Sequence, residues 1–401
     1  MARIKRIKFI VWIMAAAMIL CFIPLSTMAA EKPITIGLLT WMEGSNLIEG
    51  RQYTRAFKTA IKEINDNGGI LGRKVKGIVG NNGVSADAAK TSLLKMVLKN
   101  KINAFVGPHW SFMQPVGLEI AKKYNLPFSS LQGGHWLPLQ KFPAYAVFCG
   151  NGWGNGTAGA KWIVQKGYKK VAMVNSQLDY THFVEDNMLA YWKDNPNAPE
   201  YLGSVWFDWG TTDITKEITQ SVAKKPDLIW VEDWSDPLVV NTLKVLENLG
   251  YKGDVIFTPV VKPSTIQNLP KELTENRGVY VAKEWGYDPN VPANKAFYDL
   301  FMEEWGEAPS YPEMVIYSST TFLLKAMEAA GVVPDGSKAA LDKVAKAMHS
   351  IKWITPNGVP ANLSPGGMNL TSKMAYVKVE GGQFVLDQYV PMSPEEWLPQ
   401  K

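Results

Sequence analysis

Three of the four histidines, His109, His135 and His182, stand in segments that also carry tryptophan or tyrosine. Histidines spaced i, i+4 on one helix face would hold a zinc ion, but these lack that spacing and read as polar loop residues. Gly154-Asn155-Gly156-Thr157-Ala158-Gly159 matches G-x-G-x-x-G, a pattern that cradles a pyrophosphate where a strand turns into a helix. The next strand ends Met173-Val174-Asn175-Ser176, with no acid placed for a ribose hydroxyl, so the glycines read as a flexible domain entry and a helix start. The chain has no G-x-S-x-G, P-loop or C-x-x-C. No catalytic group, metal or cofactor is therefore assigned. What remains is binding chemistry. Five segments set an aromatic ring beside polar groups: Trp41–Ser45, His109–Phe112, Gln132–Trp136, Gln177–Tyr180 and Glu232–Ser235. Aromatic walls with a few convergent polar groups suit a small amphipathic ligand.

The elements that must position these segments alternate between strand and helix. Ile34, Ile36 and Leu38 mark a strand, and Phe57, Ala60, Ile61 and Ile64 recur on one face of the following helix. That helix stops at Asn67-Gly68-Gly69, and a second strand follows over Val75–Val79. The long first loop, Thr40 to Glu49, opens at a strand's carboxyl end, where open α/β sheets bind ligands. The same cycle repeats to about residue 149, restarts over 157–258, and gives way to helices near 293–305, 313–331 and 337–350. Met374 to Val390 reads as a hairpin around Gly381-Gly382. Short βα connections predict parallel sheets. Residues 284–355 are expected to pack back on the first sheet and the terminal hairpin on the second.

Arg3, Lys5, Arg6 and Lys8 precede the apolar run Phe9–Leu25, and Ser26-Thr27-Met28-Ala29-Ala30 supplies a cleavage segment. Residues 1–30 thus read as a signal peptide cleaved near Ala30, with an uncleaved anchor as the alternative. Cys21 lies inside the apolar run without a small residue before it, which argues against lipidation. Removing four basic residues from the 42 leaves 38 against 37 acidic, a net of +1 that does not point to nucleic acid or an anionic surface. The one remaining thiol, Cys149, reads as a small buried hydrophobe. The remaining chain exceeds one comfortable core, so two domains are expected.

Ile34–Leu39, Ala60-Ile61-Lys62-Glu63-Ile64-Asn65 with Gly68-Gly69-Ile70-Leu71-Gly72-Arg73, and Val106-Gly107-Pro108 with Pro127 resemble the branched-chain amino-acid-binding (Leu/Ile/Val-type) periplasmic proteins, the solute receptors of ABC importers. Thr212-Asp213, Pro226-Asp227 and Tyr287-Asp288-Pro289 extend the resemblance over most of the chain. It implies a type I periplasmic binding fold, in keeping with the two parallel-sheet α/β lobes joined by three hinge crossings that the element order gives, 31–149 plus 284–355 and 150–283 plus 356–401. It also implies a non-enzymatic, monomeric periplasmic receptor that closes over a small-molecule solute and delivers it to an ABC permease in the inner membrane. By that resemblance Ser111 holds a ligand carboxylate, and Gln132, Gly133, Gly134 and His135 stand where backbone amides and a hydroxyl would. Tyr180 and Trp234 fall on the second lobe's aromatic positions. The ammonium-binding acid is replaced in Pro259-Val260-Val261, and an aromatic of the first loop by Glu49. Glu49, Glu232 or Asp233 can receive an ammonium from another direction. Otherwise the ligand is an aromatic carboxylate or an amide between Trp41, Trp110 and Trp234, or a cationic amine held by ring faces and Glu49. A hydrophobic or branched-chain amino acid is the first reading. A ligand-sensing module for a membrane sensor is a second functional class.

Overall fold

The computed structural model describes residues 31–44, 46–130, 142–232, 236–258, 261, 263–283, 285–369 and 373–398. Residues 1–30, read from the sequence as a signal peptide, lie outside these. Strands β1 (Ile34–Thr40), β2 (Val75–Asn81), β3 (Ala104–Val106), β4 (Phe128–Ser130) and β5 (Tyr145–Val147) form one sheet in the order β2-β1-β3-β4-β5. Every pair in it is parallel. Helices α1 (Leu47–Asp66), α2 (Ala86–Leu98) and α3 (Gln114–Tyr124) make the connections. β1 is buried along almost its whole length, as a parallel strand covered on both faces must be.

Helix α1 buries Tyr53, Ala56, Phe57, Ala60, Ile61 and Ile64, the stripe its spacing predicts. Its end is stitched to β2 by Asn65, whose Nδ2 donates to the Val75 carbonyl at 2.9 Å while Oδ1 accepts from the Val75 amide at 2.8 Å. Gly69 has φ +82°, and a Cβ there would lie 2.1 Å from the Arg73 carbonyl oxygen. The glycine-rich turn therefore serves the scaffold.

The second sheet holds β6 (Lys170–Ser176), β7 (Glu200–Phe207), β8 (Leu228–Glu232), β9 (Asp254–Phe257), β10 (Val279–Lys283), β11 (Met374–Glu380) and β12 (Gln383–Val390), ordered β12-β11-β10-β9-β8-β6-β7. It is mixed rather than parallel throughout, because the terminal hairpin adds antiparallel to β10. Helix α4 (Gly152–Lys166) leads into this sheet, and α5 (Asp179–Trp192), α6 (Thr215–Ala223) and α7 (Asp236–Asn248) connect its parallel strands β6 to β9. Two short helices, α8 (Pro263–Gln267) and α9 (Glu272–Glu275), precede β10.

The chain leaves β5 for α4, returns from β10 to α10 (Pro292–Trp305), and leaves again between α12 (Lys338–Met348) and β11. The last passage runs beside the first: the Val147 amide donates to the Gly367 carbonyl at 2.9 Å and the Asn369 amide to the Val147 carbonyl at 3.1 Å. Helix α11 (Tyr311–Ala330) packs on α1 and on the first sheet. Arg55 Nε meets Glu313 Oε1 at 2.6 Å, Tyr317 donates to Glu63 at 2.5 Å, and Ser129 Oγ bonds Ser319 Oγ at 2.8 Å.

The glycines after Cys149 are not a flexible entry. They are the first turns of α4, started by Asn151, whose Oδ1 accepts from the Gly154 amide at 2.7 Å. A Cβ at Gly152 would meet the Tyr180 carbonyl oxygen at 2.8 Å, one at Gly156 the Val184 carbonyl oxygen at 2.3 Å, and one at Gly159 the Met188 methyl at 2.4 Å. These positions let α4 lie directly on α5, while Gly154 seats the fully buried Trp397. Close packing, not phosphate binding, accounts for the motif.

Candidate functional site

The carboxyl ends of β1 and β3 carry a wall of rings. Helix α1 begins at Leu47, earlier than a long loop would allow, so Glu49 sits half-buried in its first turn. Gly50 makes that start possible, since a Cβ there would fall 1.7 Å from the Trp41 carbonyl oxygen. Trp41 is 4% exposed and its indole N–H donates to the Gly83 carbonyl at 3.1 Å, so it backs the wall instead of presenting an open face. Its ring lies 4.3 Å from His109 and 5.0 Å from Trp110, centroid to centroid. His109 stacks on Tyr53 at 4.9 Å and 15°.

Asn82, fully buried, fixes the loop that carries His109. Its amide donates to the Thr40 carbonyl at 2.7 Å, its Oδ1 accepts from the His109 amide at 3.2 Å, and its Nδ2 approaches Met113 Sδ at 3.0 Å. His109 is 6% exposed, and burial lowers its pKa from the ordinary 6.5 to about 3. The ring is neutral, and its Nδ1 finds no hydrogen-bond partner among the described residues. Burial, reinforced by Glu49, Glu313 and Cys149, holds the Tyr53 hydroxyl well above the usual phenol range. Trp110 is half-buried and touches Phe112 at 5.5 Å. Ser111 opens a short 3-10 turn, Ser111–Met113, and its side chain lies outside the described atoms.

On the second sheet Tyr180 occupies the first turn of α5, not a loop, and its hydroxyl receives Asn155 Nδ2 from α4. Asn155 is 6% exposed and its Oδ1 has no partner among the described residues. Glu232 ends β8 with no exposed surface, and its Oε2 accepts from the Trp230 indole at 2.6 Å. His182 stacks on Trp206 at 4.1 Å. Among the described residues no three His, Cys, Asp or Glu side chains come together as metal ligands. Gln132, Gly133, Gly134, His135, Asp233, Trp234 and Val260 lie outside the described residues.

One contributor escaped the sequence reading. Trp209, in the turn after β7, is 51% exposed and meets Trp110 edge-on at 5.7 Å and 84°. It joins the two sheets' loops. Its signal was Trp209-Gly210 after a strand, the aromatic-plus-glycine pattern already present at Trp41 to Gly44. The charged side chains in the segments 40–49, 107–114, 177–181 and 208–214, the neutral His109 aside, are Glu43, Glu49, Asp179, Asp208 and Asp213, all acidic, with Glu49 and Asp179 in the first turns of α1 and α5.

Comparison with known structures finds the same architecture. An amino-acid ABC transporter substrate-binding protein from Pseudomonas fluorescens Pf-5 superposes with a TM-score of 0.78 at 16% identity, covering 92% of this chain and 99% of that one. A solute-binding protein of an ABC transporter from R. palustris, in complex with benzoate, gives 0.76 at 15% identity over 90% and 97% of the two chains. A branched-chain amino-acid transporter substrate-binding protein from Streptococcus pneumoniae, in complex with isoleucine, gives 0.75 at 19% identity over 90% and 100%. Comparison with curated protein sequences returns no match. Residues 33–383 match the periplasmic binding protein family. The chain therefore belongs to that family, as a non-catalytic binding protein with the type I periplasmic binding fold.

Proposed function

We propose that the ligand is a hydrophobic or branched-chain amino acid, or a close analogue, enclosed between the carboxyl ends of the two sheets. The observation that carries this is the ring wall of Trp41, His109 and Trp110, met from the other sheet by Trp209. Ser111 and the amides of Gly133 and Gly134, with Gln132 and His135 beside them, would hold the polar end. Tyr180 and Trp234 would enclose the body from the second lobe, and Glu49 or Asp233 would take the ammonium. Micromolar affinity corresponds to about −8 kcal/mol, within reach of a few aromatic contacts and charge-assisted hydrogen bonds. The protein acts as a monomer in this reading.

A second reading, a cationic amine, is favoured by the acidic residues Glu43, Glu49, Asp179, Asp208 and Asp213 of these segments. Ring faces and carboxylates together attract an ammonium and repel a lone carboxylate. Calorimetric titration with leucine, isoamylamine, isocaproate and benzoate separates the readings. Leucine binding with both fragments weak supports the amino acid. Isoamylamine binding as tightly as leucine moves the assignment to amines, and benzoate or isocaproate binding best removes both in favour of a carboxylate receptor. A ligand bound without uptake in cells points to a sensing module instead.

A further inference from the structure

We propose that Trp209 is a latch: the side chain with which the second lobe fastens onto Trp110 of the first, holding the lobes closed and setting how long a solute stays. The proposal rests on the reading that the solute lies between the lobes.

The latch partners belong to different sheets. Trp110 follows β3, an inner strand of the five-stranded sheet, and Trp209 follows β7, the edge strand of the seven-stranded one. A residue after an edge strand sits at the side of a cleft rather than at its floor, which is where a gate belongs. The tip carrying Trp209 is a tight turn in which the Thr211 amide donates to the Asp208 carbonyl at 3.1 Å and Gly210 takes φ +91°. That turn presents the indole without burying it, leaving 51% of the residue exposed.

Trp110, by contrast, is braced. Trp41 lies 5.0 Å from it on one side and Phe112 5.5 Å on another, and Trp41 is itself pinned by the Gly83 carbonyl. One partner is braced by rings of its own lobe and the other stands on an exposed turn of the opposite lobe. An edge-to-face pair of this kind can be made and broken as a unit when the lobes rotate. It favours the closed arrangement by about 2- to 10-fold, and a contact present only when closed slows release without changing encounter.

The test uses the mature protein labelled with fluorotryptophan, with Trp209→Phe assigning the Trp209 fluorine resonance. Trp110→Ala is expected to move that resonance to a solvent-like position; an unmoved resonance overturns the latch. Stopped-flow release of leucine or isoamylamine, whichever binds, is then compared between wild type and Trp209→Ala. Release about 2- to 10-fold faster with an unchanged association rate supports the proposal, whereas an unchanged release rate overturns it. If neither solute binds, the ligand reading fails on its own, and the fluorine resonance alone decides the latch.

Discussion

Gly156→Ala sets two effects of opposite sign against each other. Replacing a mid-helix glycine by alanine ordinarily stabilises by about 1 kcal/mol, because glycine loses more backbone entropy on folding. At Gly156, however, the new Cβ would lie 2.3 Å from the Val184 carbonyl oxygen and 3.0 Å from the Asn187 Cβ. Ordinary contact begins at 3.4 Å, so α4 and α5 must separate locally by about 3.4 − 2.3 = 1.1 Å. The carbonyl belongs to the α5 backbone and cannot rotate away as a flexible side chain would. Overpacking of this kind costs about 1–3 kcal/mol, and the displacement here places it at the upper end. The net effect is a destabilisation of about 1–2 kcal/mol. In a lobe of this size that lowers the melting temperature by roughly 2–8 °C. Differential scanning calorimetry with urea titration measures it. A Gly156→Ala protein as stable as wild type, or more so, would refute the close-packing account of these glycines and reopen the phosphate-cradle reading.

Two further expectations concern buried ionisable groups. Arg55→Met strips Glu313, which has no exposed surface, of its cation. Glu313 Oε2 keeps the Ser310 amide at 2.7 Å and hydroxyl at 2.9 Å, so the loss falls at the low end of the range for breaking a buried pair, about 3 kcal/mol. A urea-derived loss below about 1 kcal/mol contradicts this. His109, with its folded pKa near 3 against an ordinary 6.5, is protonated first in the unfolded chain. Its contribution is intact above about pH 6.5 and is lost as pH falls toward 3, at up to about 1.4 kcal/mol per pH unit. His109→Phe should flatten the stability profile between pH 6 and 4 relative to wild type, and parallel profiles would count against a buried neutral imidazole.

Much of the scaffold was readable because burial writes itself into local periodicity. The stripe Phe57, Ala60, Ile61 and Ile64 placed α1, and Gly381-Gly382 placed the β11–β12 hairpin, since each feature depends on neighbours a few residues away. The hairpin was expected on the second sheet and joins it, but its antiparallel pairing with β10 was not read, because those strands lie more than 90 residues apart. The glycines of α4 misled for a related reason. Their role is fixed by Val184, Met188 and Trp397, partners that no local pattern names. The site divides in the same way. Loops rich in rings marked the wall of Trp41 and Trp110, but the burial of Trp41, the placement of Glu49 on a helix and the reach of Trp209 across to Trp110 are tertiary outcomes.

The three passages between the sheets have a consequence for the order of assembly. A chain emerging from its amino end offers β1–β5 long before α11, which must cover α1 and pair Arg55, has been made. The second sheet waits longer still, for β11, β12 and finally Trp397, whose carbonyl receives Asn151 Nδ2 at 2.9 Å across 246 residues. The first half can close once α12 has been made, while β11 and β12 of the second are still to come. The halves therefore complete in turn, each by pairing chain made early with chain made late, a topology that slows folding relative to one built from local contacts.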